Sequence, residues 1–231
     1  MRIVFIRHGK PDYTTDTLTD HGWIQAHDLK SRLAGEGISE IYASTMGRAM
    51  QTATPFSEFS GIPIVPLSFM REVNWGPEND DIKIPFDGHP WLFIPEYIKS
   101  GKSLLKCDID TSEDFKYNTK LWTSVNRVTE GFDRWLSSFG LVREGEYYRI
   151  TNKNTDKTIA IFSHGGSSTA AISHLLNLSF LSACLFVRPY FTSVSVIKFE
   201  GNEGDLVMPT VELLNDDRHV RKESDSVKIE K

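Results

Sequence analysis

The chain has 231 residues, of which 39% are hydrophobic, and its 26 basic and 31 acidic side chains give a formal net charge of −5. This length predicts one large domain, or one domain with an insertion, and the negative charge argues against a nucleic-acid-binding protein. Two cysteines without a CxxC pair argue against a disulfide framework or a zinc site. No run of eighteen apolar residues occurs, so we expect a cytoplasmic protein with no membrane contact.

Short apolar runs alternate along the chain with longer helical stretches, a pattern typical of an α/β sheet. The run from Ile3 to Ile6 predicts a buried first strand, and Thr19 predicts the N-cap of a helix that continues to about Ala34. The other elements predicted in the same way are a strand over 38–43, a helix over 46–59, a strand over 64–67, a helix over 113–139, a strand over 158–162, a helix over 167–176 and edge-like strands over 194–199 and 207–213.

A stretch rich in proline and aromatic residues, about 76–112, interrupts this alternation. Because it is too short to hold its own core, we interpret it as a cap inserted in a single domain of residues 1–219, with a flexible tail over 220–231. Trp91 and Tyr97 have polar tips suited to a wet site and are our candidates for a substrate-contacting apolar wall. The alternative is that the aromatic residues of this stretch fill a satellite core beneath a long loop.

Two histidines each follow a predicted strand and precede glycine: His8 within Arg7-His8-Gly9, and His164 before Gly165. Ligands of open α/β sheets bind at the carboxyl ends of strands, so both histidines are expected in one crevice. The glycines would let a ligand approach the backbone and leave N–H groups free for an anion. Either histidine alone is weak evidence, since a histidine at a strand end is more often a structural residue.

An arginine and a glutamate occupy similar positions between the two histidines. Arg48 is predicted in the first turn of its helix, an unfavourable place for a cation unless the arginine and the helix N-terminus share one anionic ligand. Glu72 follows the third predicted strand. Taken alone, Arg48 is better interpreted as a surface arginine, and Glu72 fits a solvated loop carboxylate about as well as a functional one.

Together these motifs resemble the histidine phosphatase superfamily, also called the phosphoglycerate mutase-like family, from residue 2 to about residue 219. The segments that carry the resemblance are Arg7-His8-Gly9, residues 18–26, residues 42–53, Glu72, residues 163–166 and residues 214–219. The resemblance implies a three-layer α/β/α fold with a mostly parallel central sheet. It also implies a small-molecule phosphate monoester as substrate.

In this family resemblance His8 is the phosphate acceptor, Glu72 the proton donor and His164 the second catalytic histidine. The groups expected to bind the phosphate are Arg7, Arg48, a protonated His164, the Gly165 N–H and Thr14. Because cationic side chains would neutralise the phosphate, no metal and no cofactor is expected. A homodimer is left open.

Two other functions compete with phosphoryl transfer. A metal site built from His8, His164 and Glu72 is the chemical rival, but the adjacent Arg7 disfavours a cation and no HxH or HExxH spacing occurs. The second rival is a phospho-ligand binding module without turnover.

Within the resemblance, the main choice is between phosphatase and mutase. Phosphoglycerate mutases usually have a longer segment after the first motif, with a Trp-Asn pair near its start. Here only residues 10–17 separate Gly9 from Leu18, and Tyr13-Thr14 stands in place of that pair. We therefore favour the phosphatase branch, with phosphoglycerate mutase-type transfer as the alternative.

Overall fold

The computed structural model describes residues 1–79, 81–101, 115–152 and 156–220, and it confirms the α/β prediction. Its strands are β1 (Arg2–Arg7), β2 (Pro11–Asp12), β3 (Thr17–Leu18), β4 (Glu40–Ser44), β5 (Ile64–Leu67), β6 (Leu141–Glu144), β7 (Tyr147–Ile150), β8 (Thr158–Ser163), β9 (Val194–Lys198), β10 (Leu206–Val207) and β11 (Thr210–Asp216). Its α-helices are α1 (Asp20–Leu33), α2 (Gly47–Ser60), α3 (Pro90–Lys99), α4 (Thr119–Ser137), α5 (Gly165–Leu175) and α6 (Phe180–Phe186). Two 3-10 turns span Ser68–Met70 and Pro85–Gly88.

A mostly parallel six-stranded sheet, in the order β11-β9-β1-β8-β4-β5, forms the centre of the domain. The pairs β1–β8, β8–β4 and β4–β5 are parallel, whereas β9 runs antiparallel to both β1 and β11. The prediction of an edge-like strand over 194–199 is wrong, because β9 lies between two strands and its first four residues are buried. The edge strands of this sheet are β11 and β5.

The alternating side chains of β1 connect this sheet to two separate cores, one on each face. Ile3 and Phe5 belong to the larger core, which includes residues of α3, α4, α5 and α6, and Val4 and Ile6 belong to the smaller one, which includes residues of α1 and α2. Helices therefore cover both faces of the sheet, as the predicted three-layer arrangement requires.

The signals for helix ends were accurate where a local contact fixes the boundary. Thr19 is the N-cap of α1, and its Oγ1 accepts a hydrogen bond from the Gly22 N–H at 3.1 Å. Gly61 ends α2 in the left-handed conformation, with φ of 73°. By contrast, α4 begins at Thr119 rather than at 113, after a turn over 115–117; residues 113–114 lie outside the described part of the chain.

Several other elements differ from the sequence prediction or were not predicted. Helix α5 begins at Gly165, two residues earlier than predicted, which makes His164 its N-cap. The β6–β7 hairpin and α6 were not predicted. The last strand covers residues 210–216 rather than 207–213.

The side chain of Asn118 joins two points of the described part of the predicted cap to the start of α4. Asn118 is completely buried; its Oδ1 accepts from the Gly76 N–H at 2.7 Å and its Nδ2 donates to the Gly88 carbonyl at 2.8 Å. The rest of the predicted cap (102–112) and nearly all of the predicted tail (221–231) lie outside the described residues.

Among the described residues, no single helix is long and apolar enough to cross a membrane. Helices α5 and α6 together meet the length and composition criteria, but they are bent by 112° where they meet.

Candidate active site

The two predicted histidines lie side by side because β1 and β8 are adjacent, parallel and in register. Arg7 pairs with Ser163, and the His8 N–H donates to the Ser163 carbonyl at 2.9 Å. The ring centroids of His8 and His164 are 5.1 Å apart, and both residues are almost completely buried. The sequence prediction that one crevice contains both rings is thus met in the structure.

The backbone fixes the protonation pattern of His8. Its Nδ1 lies 2.7 Å from the Gly9 carbonyl oxygen, so Nδ1 carries the hydrogen and donates it. The lone pair then resides on Nε2, which accepts a hydrogen bond from Arg48 Nε at 3.2 Å. Burial and the nearby Arg7 and Arg48 hold the pKa of His8 well below its usual value of 6.5, which keeps Nε2 unprotonated.

His164 contacts Ser44, a residue to which the sequence analysis gave no role. The distance from His164 Nε2 to Ser44 Oγ is 2.8 Å. Burial, the facing His8 and the nearby arginines lower the pKa of His164 well below 6.5. The ligand-free site therefore favours a neutral His164, whereas the predicted protonated imidazole belongs to the phosphate-bound site and stays a prediction.

Arg7 presents a buried donor that has no partner among the described residues. Its guanidinium stacks on the Phe191 ring at 4.2 Å and Nη1 donates to the Pro189 carbonyl at 2.8 Å, but Nε is buried and unpaired. A Cβ added at Gly165 would lie 3.7 Å from that Nε, so the N-terminus of α5 is next to it. An unpaired cationic donor beside a helix N-terminus is a favourable place for an anion.

Arg48 lies in the first turn of α2 and is buried, as the sequence analysis placed it. One side of its guanidinium reaches His8, and Nη1 forms an ion pair with Asp16. The Thr52 hydroxyl accepts from the Gly9 N–H at 3.0 Å and donates to the Arg48 carbonyl at 2.7 Å, which joins the first turn of α2 to the His8 loop.

The carboxylate of Glu72 is held against the start of α5. Its Oε1 accepts from the Val73 N–H at 2.9 Å and the Ser167 N–H at 3.0 Å. Burial raises the pKa of Glu72 above 4.5, although both N–H groups and Arg7 oppose the shift. A raised pKa suits a carboxyl group that must deliver a proton.

Gly166 leaves space for the Glu72 side chain, and Arg127 holds the backbone on which Glu72 lies. A Cβ at Gly166 would lie only 2.7 Å from Glu72 Oε1 and 2.2 Å from Val73 Cγ2. Arg127 of α4 donates through Nη2 to the carbonyls of Arg71 and Glu72, at 2.7 and 3.1 Å. The second glycine of the His-Gly-Gly motif thus makes room for the acid.

Gly9 serves a different purpose from the one predicted. A Cβ at Gly9 would lie 2.7 Å from the Gly22 carbonyl oxygen, so the residue lets the start of α1 approach the loop after β1. The space that the sequence analysis assigned to a ligand is filled by backbone.

Three predicted contact residues are not brought to the histidine pair by any contact among the described residues. Thr14 is exposed, and its hydroxyl donates to Asp12 Oδ1 at 2.6 Å. Tyr97 is buried in the larger core beside Phe93, and the half-buried Trp91 packs against the same core. The cap aromatics therefore match the packing alternative better than the apolar wall, except that they join the main core rather than a satellite core.

Five side chains that support the site received no role from sequence reasoning: Asp16, Ser44, Thr52, Arg127 and Phe191. Ser44 and Thr52 lie within the motif of residues 42–53 and could have been found there. Arg127 and Phe191 carry no local signal, because only the tertiary fold brings them near the strand ends. Among the described residues, no group of three or more His, Cys, Asp or Glu side chains is arranged to hold a metal ion.

Comparison with protein families identifies the first third of the chain. Residues 3–82 match the model of the histidine phosphatase superfamily (branch 1). The probable phosphoglycerate mutase GpmB of Yersinia pestis is 29% identical over 85 residues, which cover 33% of this chain and 40% of that protein. The same identity and coverage are found for GpmB of Yersinia pseudotuberculosis.

Solved structures match nearly the whole fold. A variant of phosphoserine phosphatase from Entamoeba histolytica, in complex with phosphoserine, aligns with a TM-score of 0.64 and 18% identity, and covers 95% of this chain and 99% of that one. A mycobacterial glucosyl-3-phosphoglycerate phosphatase aligns with a TM-score of 0.61 and 18% identity, over 93% and 98% of the two chains. At these identities the similarity establishes the fold.

Proposed function

We propose that this chain is a metal-independent phosphatase of the histidine phosphatase superfamily, whose family model matches residues 3–82, and that it hydrolyses small phosphate monoesters through a phosphohistidine. One observation carries the proposal: His8 Nε2 holds its lone pair in a buried cluster that contains two arginines. A neutral nucleophile beside two arginines, one of which keeps an unpaired buried donor, is the arrangement that attack on a phosphate dianion requires.

In the first step His8 Nε2 attacks phosphorus, and the bond between phosphorus and the ester oxygen breaks. Arg7, Arg48 and the N-terminus of α5 neutralise the non-bridging oxygens. Glu72, whose pKa is raised by burial, donates its proton to the leaving alkoxide. The products are the free alcohol and phosphate bound to His8.

In the second step water attacks the phosphohistidine. Glu72, now ionised, accepts a proton from the water, and inorganic phosphate leaves as the electron pair of the N–P bond returns to His8. The phosphate dianion also places negative charge beside His164 when it binds. We therefore expect the pKa of His164 to rise on binding, so that the imidazolium contacts the phosphate only when ligand is present.

A phosphatase is favoured over a mutase by the short link of residues 10–17 and the absence of the Trp-Asn pair. The similarity to a probable phosphoglycerate mutase covers only 40% of that protein and keeps mutase-type transfer as the second candidate.

The decisive experiment measures inorganic phosphate released from a panel of sugar phosphates, nucleotides, phosphoglycerates and phosphoamino acids. A phosphatase should release phosphate steadily with no bisphosphate primer. Rapid primer-dependent interconversion of phosphoglycerates with little phosphate release would make it a mutase. Saturable binding of phosphate esters without either reaction would make it a binding module.

A further inference from the structure

We propose that Asp16 is a positioning residue that holds Arg48 for phosphate binding; this inference rests on the proposed function. Asp16 lies in the turn between β2 and β3, with 40% of its side chain exposed. Its Oδ2 accepts from the Gly47 N–H at 2.7 Å, and its Oδ1 pairs with Arg48 Nη1. One carboxylate thus occupies both the N-terminus of α2 and one side of the arginine.

The backbone holds this carboxylate in place at a conformational cost. Asp16 has a φ of 54°, in the left-handed region that residues with a side chain seldom adopt. Its carbonyl oxygen would lie 2.3 Å from a Cβ added at Gly47, so the turn packs directly on the start of α2. Such strain persists where the surrounding structure imposes it, and it often marks functional positions.

The chemistry of the guanidinium shows what the ion pair achieves. In arginine, Nε and Nη2 donate along one common edge, whereas Nη1 lies on the other side. Asp16 holds Nη1, and Nε donates to His8 Nε2 at 3.2 Å. The edge that carries Nε and Nη2 is therefore turned towards the nucleophile. Because the single Nε hydrogen is donated to His8, Nη2 is the group on this edge that can donate to an oxygen of an incoming phosphate.

The contact between Asp16 and Arg48 also explains why an arginine is tolerated in the first turn of α2. A cation in the first turn of a helix is unfavourable unless it shares an anion with the helix N-terminus, and here the shared anion is Asp16 rather than substrate. Because Asp16 occupies the N-terminus of α2, phosphate is directed to the unpaired Arg7 Nε and the N-terminus of α5.

The test is a double-mutant cycle on the dissociation constant of inorganic phosphate, measured by calorimetry for the wild type, Asp16→Asn, Arg48→Ala and the double variant. Asparagine keeps an oxygen for the Gly47 N–H but loses the charge that holds Arg48. We expect Asp16→Asn to weaken phosphate binding by about tenfold and to have less than a twofold effect when Arg48 is already alanine. Asp16→Glu, which keeps the charge, should recover part of the affinity.

Glu144→Gln is the matched control, because Glu144 is a similarly exposed carboxylate (44%) that pairs with an arginine in the β6–β7 hairpin. This control should bind phosphate as the wild type does. Tighter phosphate binding by Asp16→Asn would show that the carboxylate only repels anions. Full additivity of Asp16→Asn with Arg48→Ala would show that Asp16 has a structural role. Either result overturns the inference, and so does failure of the wild type to bind phosphate. If the cycle behaves as expected and no ester is hydrolysed, the proposed function fails while the role of Asp16 stands.

Discussion

Two clusters of polar side chains in this domain contain similar residue types but differ in how their charges are paired. His164 is the N-cap of α5, and His174 lies in the last turn of the same helix, about 15 Å further along at 1.5 Å per residue. His174 Nε2 contacts Asp133 Oδ2 at 2.8 Å, and Asp133 Oδ1 accepts from the Tyr148 hydroxyl at 3.1 Å. Arg143 in turn donates to that hydroxyl at 2.6 Å and to Asn177.

The cluster around His174 is closed: its histidine, carboxylate and arginine all have partners inside the domain. The cluster around His8 is open: Arg48 is paired with Asp16, but Arg7 Nε has no partner among the described residues. Closed polar networks stabilise a fold, whereas a buried cation with an unpaired donor is stabilised when a ligand of opposite charge binds. This difference supports the proposal that the pair of His8 and His164, rather than His174, is functional, and variants in either cluster can test it.

Replacing the nucleophile should have the largest effect. His8→Ala removes the only atom proposed to accept the phosphoryl group, so we expect kcat to fall on the order of 10⁴-fold or more. The wild type, quenched rapidly without acid during turnover of a labelled substrate, should carry phosphate on His8. Near-normal turnover by His8→Ala would refute the mechanism.

Glu72→Gln should have a smaller effect that depends on the leaving group. General acid catalysis typically contributes about 10²- to 10⁴-fold, and it matters most when the departing alkoxide is strongly basic. The kcat of this variant should therefore fall far more for alkyl phosphates than for p-nitrophenyl phosphate. Equal losses for both substrates would assign Glu72 a structural role at the start of α5.

The protonation of the histidine pair gives a third prediction. Burial and neighbouring cations lower the pKa of His8 and His164, so both rings should remain neutral as the pH falls through 6.5. Lowering the pH further, through the pKa of His8, protonates Nε2 and prevents attack. Ring ¹⁵N chemical shifts of the folded protein report this directly, and the denatured chain, titrating near 6.5, supplies the reference. Protonated rings in the folded protein at pH 6.5 would contradict the open-cluster description.

Gly166→Ala should show how far catalysis depends on the position of Glu72, as distinct from the stability of the fold. The new Cβ would meet Val73 and Glu72, and relieving such overpacking costs about 1–3 kcal/mol of stability. Because Glu72 must move, we expect kcat for alkyl phosphates to fall about tenfold or more. Gly35→Ala, where a Cβ has no neighbour within 4 Å, is the control and should keep full activity.

The sequence predicted the positions of the two histidines better than the side chains that contact the site. Each strand-end histidine was found because its signal is local: an apolar strand, then the histidine, then glycine. Asp16 and Arg127 were missed because their roles depend on contacts with residues 32 and 55 positions away. The interior position of β9 likewise required knowledge of sheet order, which its own residues do not encode.

The cap shows a different limit of sequence reasoning. Trp91 and Tyr97 are residue types suited to an apolar wall that contacts substrate. Residue type alone, however, does not show which side of a loop faces the domain. In the structure Asn118 ties both Gly76 and Gly88 to the start of α4, and this attachment accompanies burial of Tyr97 in the larger core.

Disrupting the closed cluster should have the smallest effect on catalysis. His174→Ala removes the partner of Asp133, and we expect the free energy of unfolding to fall by about 1.5–3 kcal/mol, the usual range for a hydrogen bond to a charged group. The ratio kcat/KM should stay within twofold of the wild type, since no contact links His174 to the His8 cluster among the described residues. Denaturant unfolding and steady-state kinetics on the same samples measure both quantities. Asp133→Asn should likewise lower the free energy of unfolding and leave kcat/KM unchanged. If either variant lowered kcat/KM tenfold while remaining folded, α5 would couple its two ends, and the separation between a closed structural cluster and an open catalytic one would be wrong.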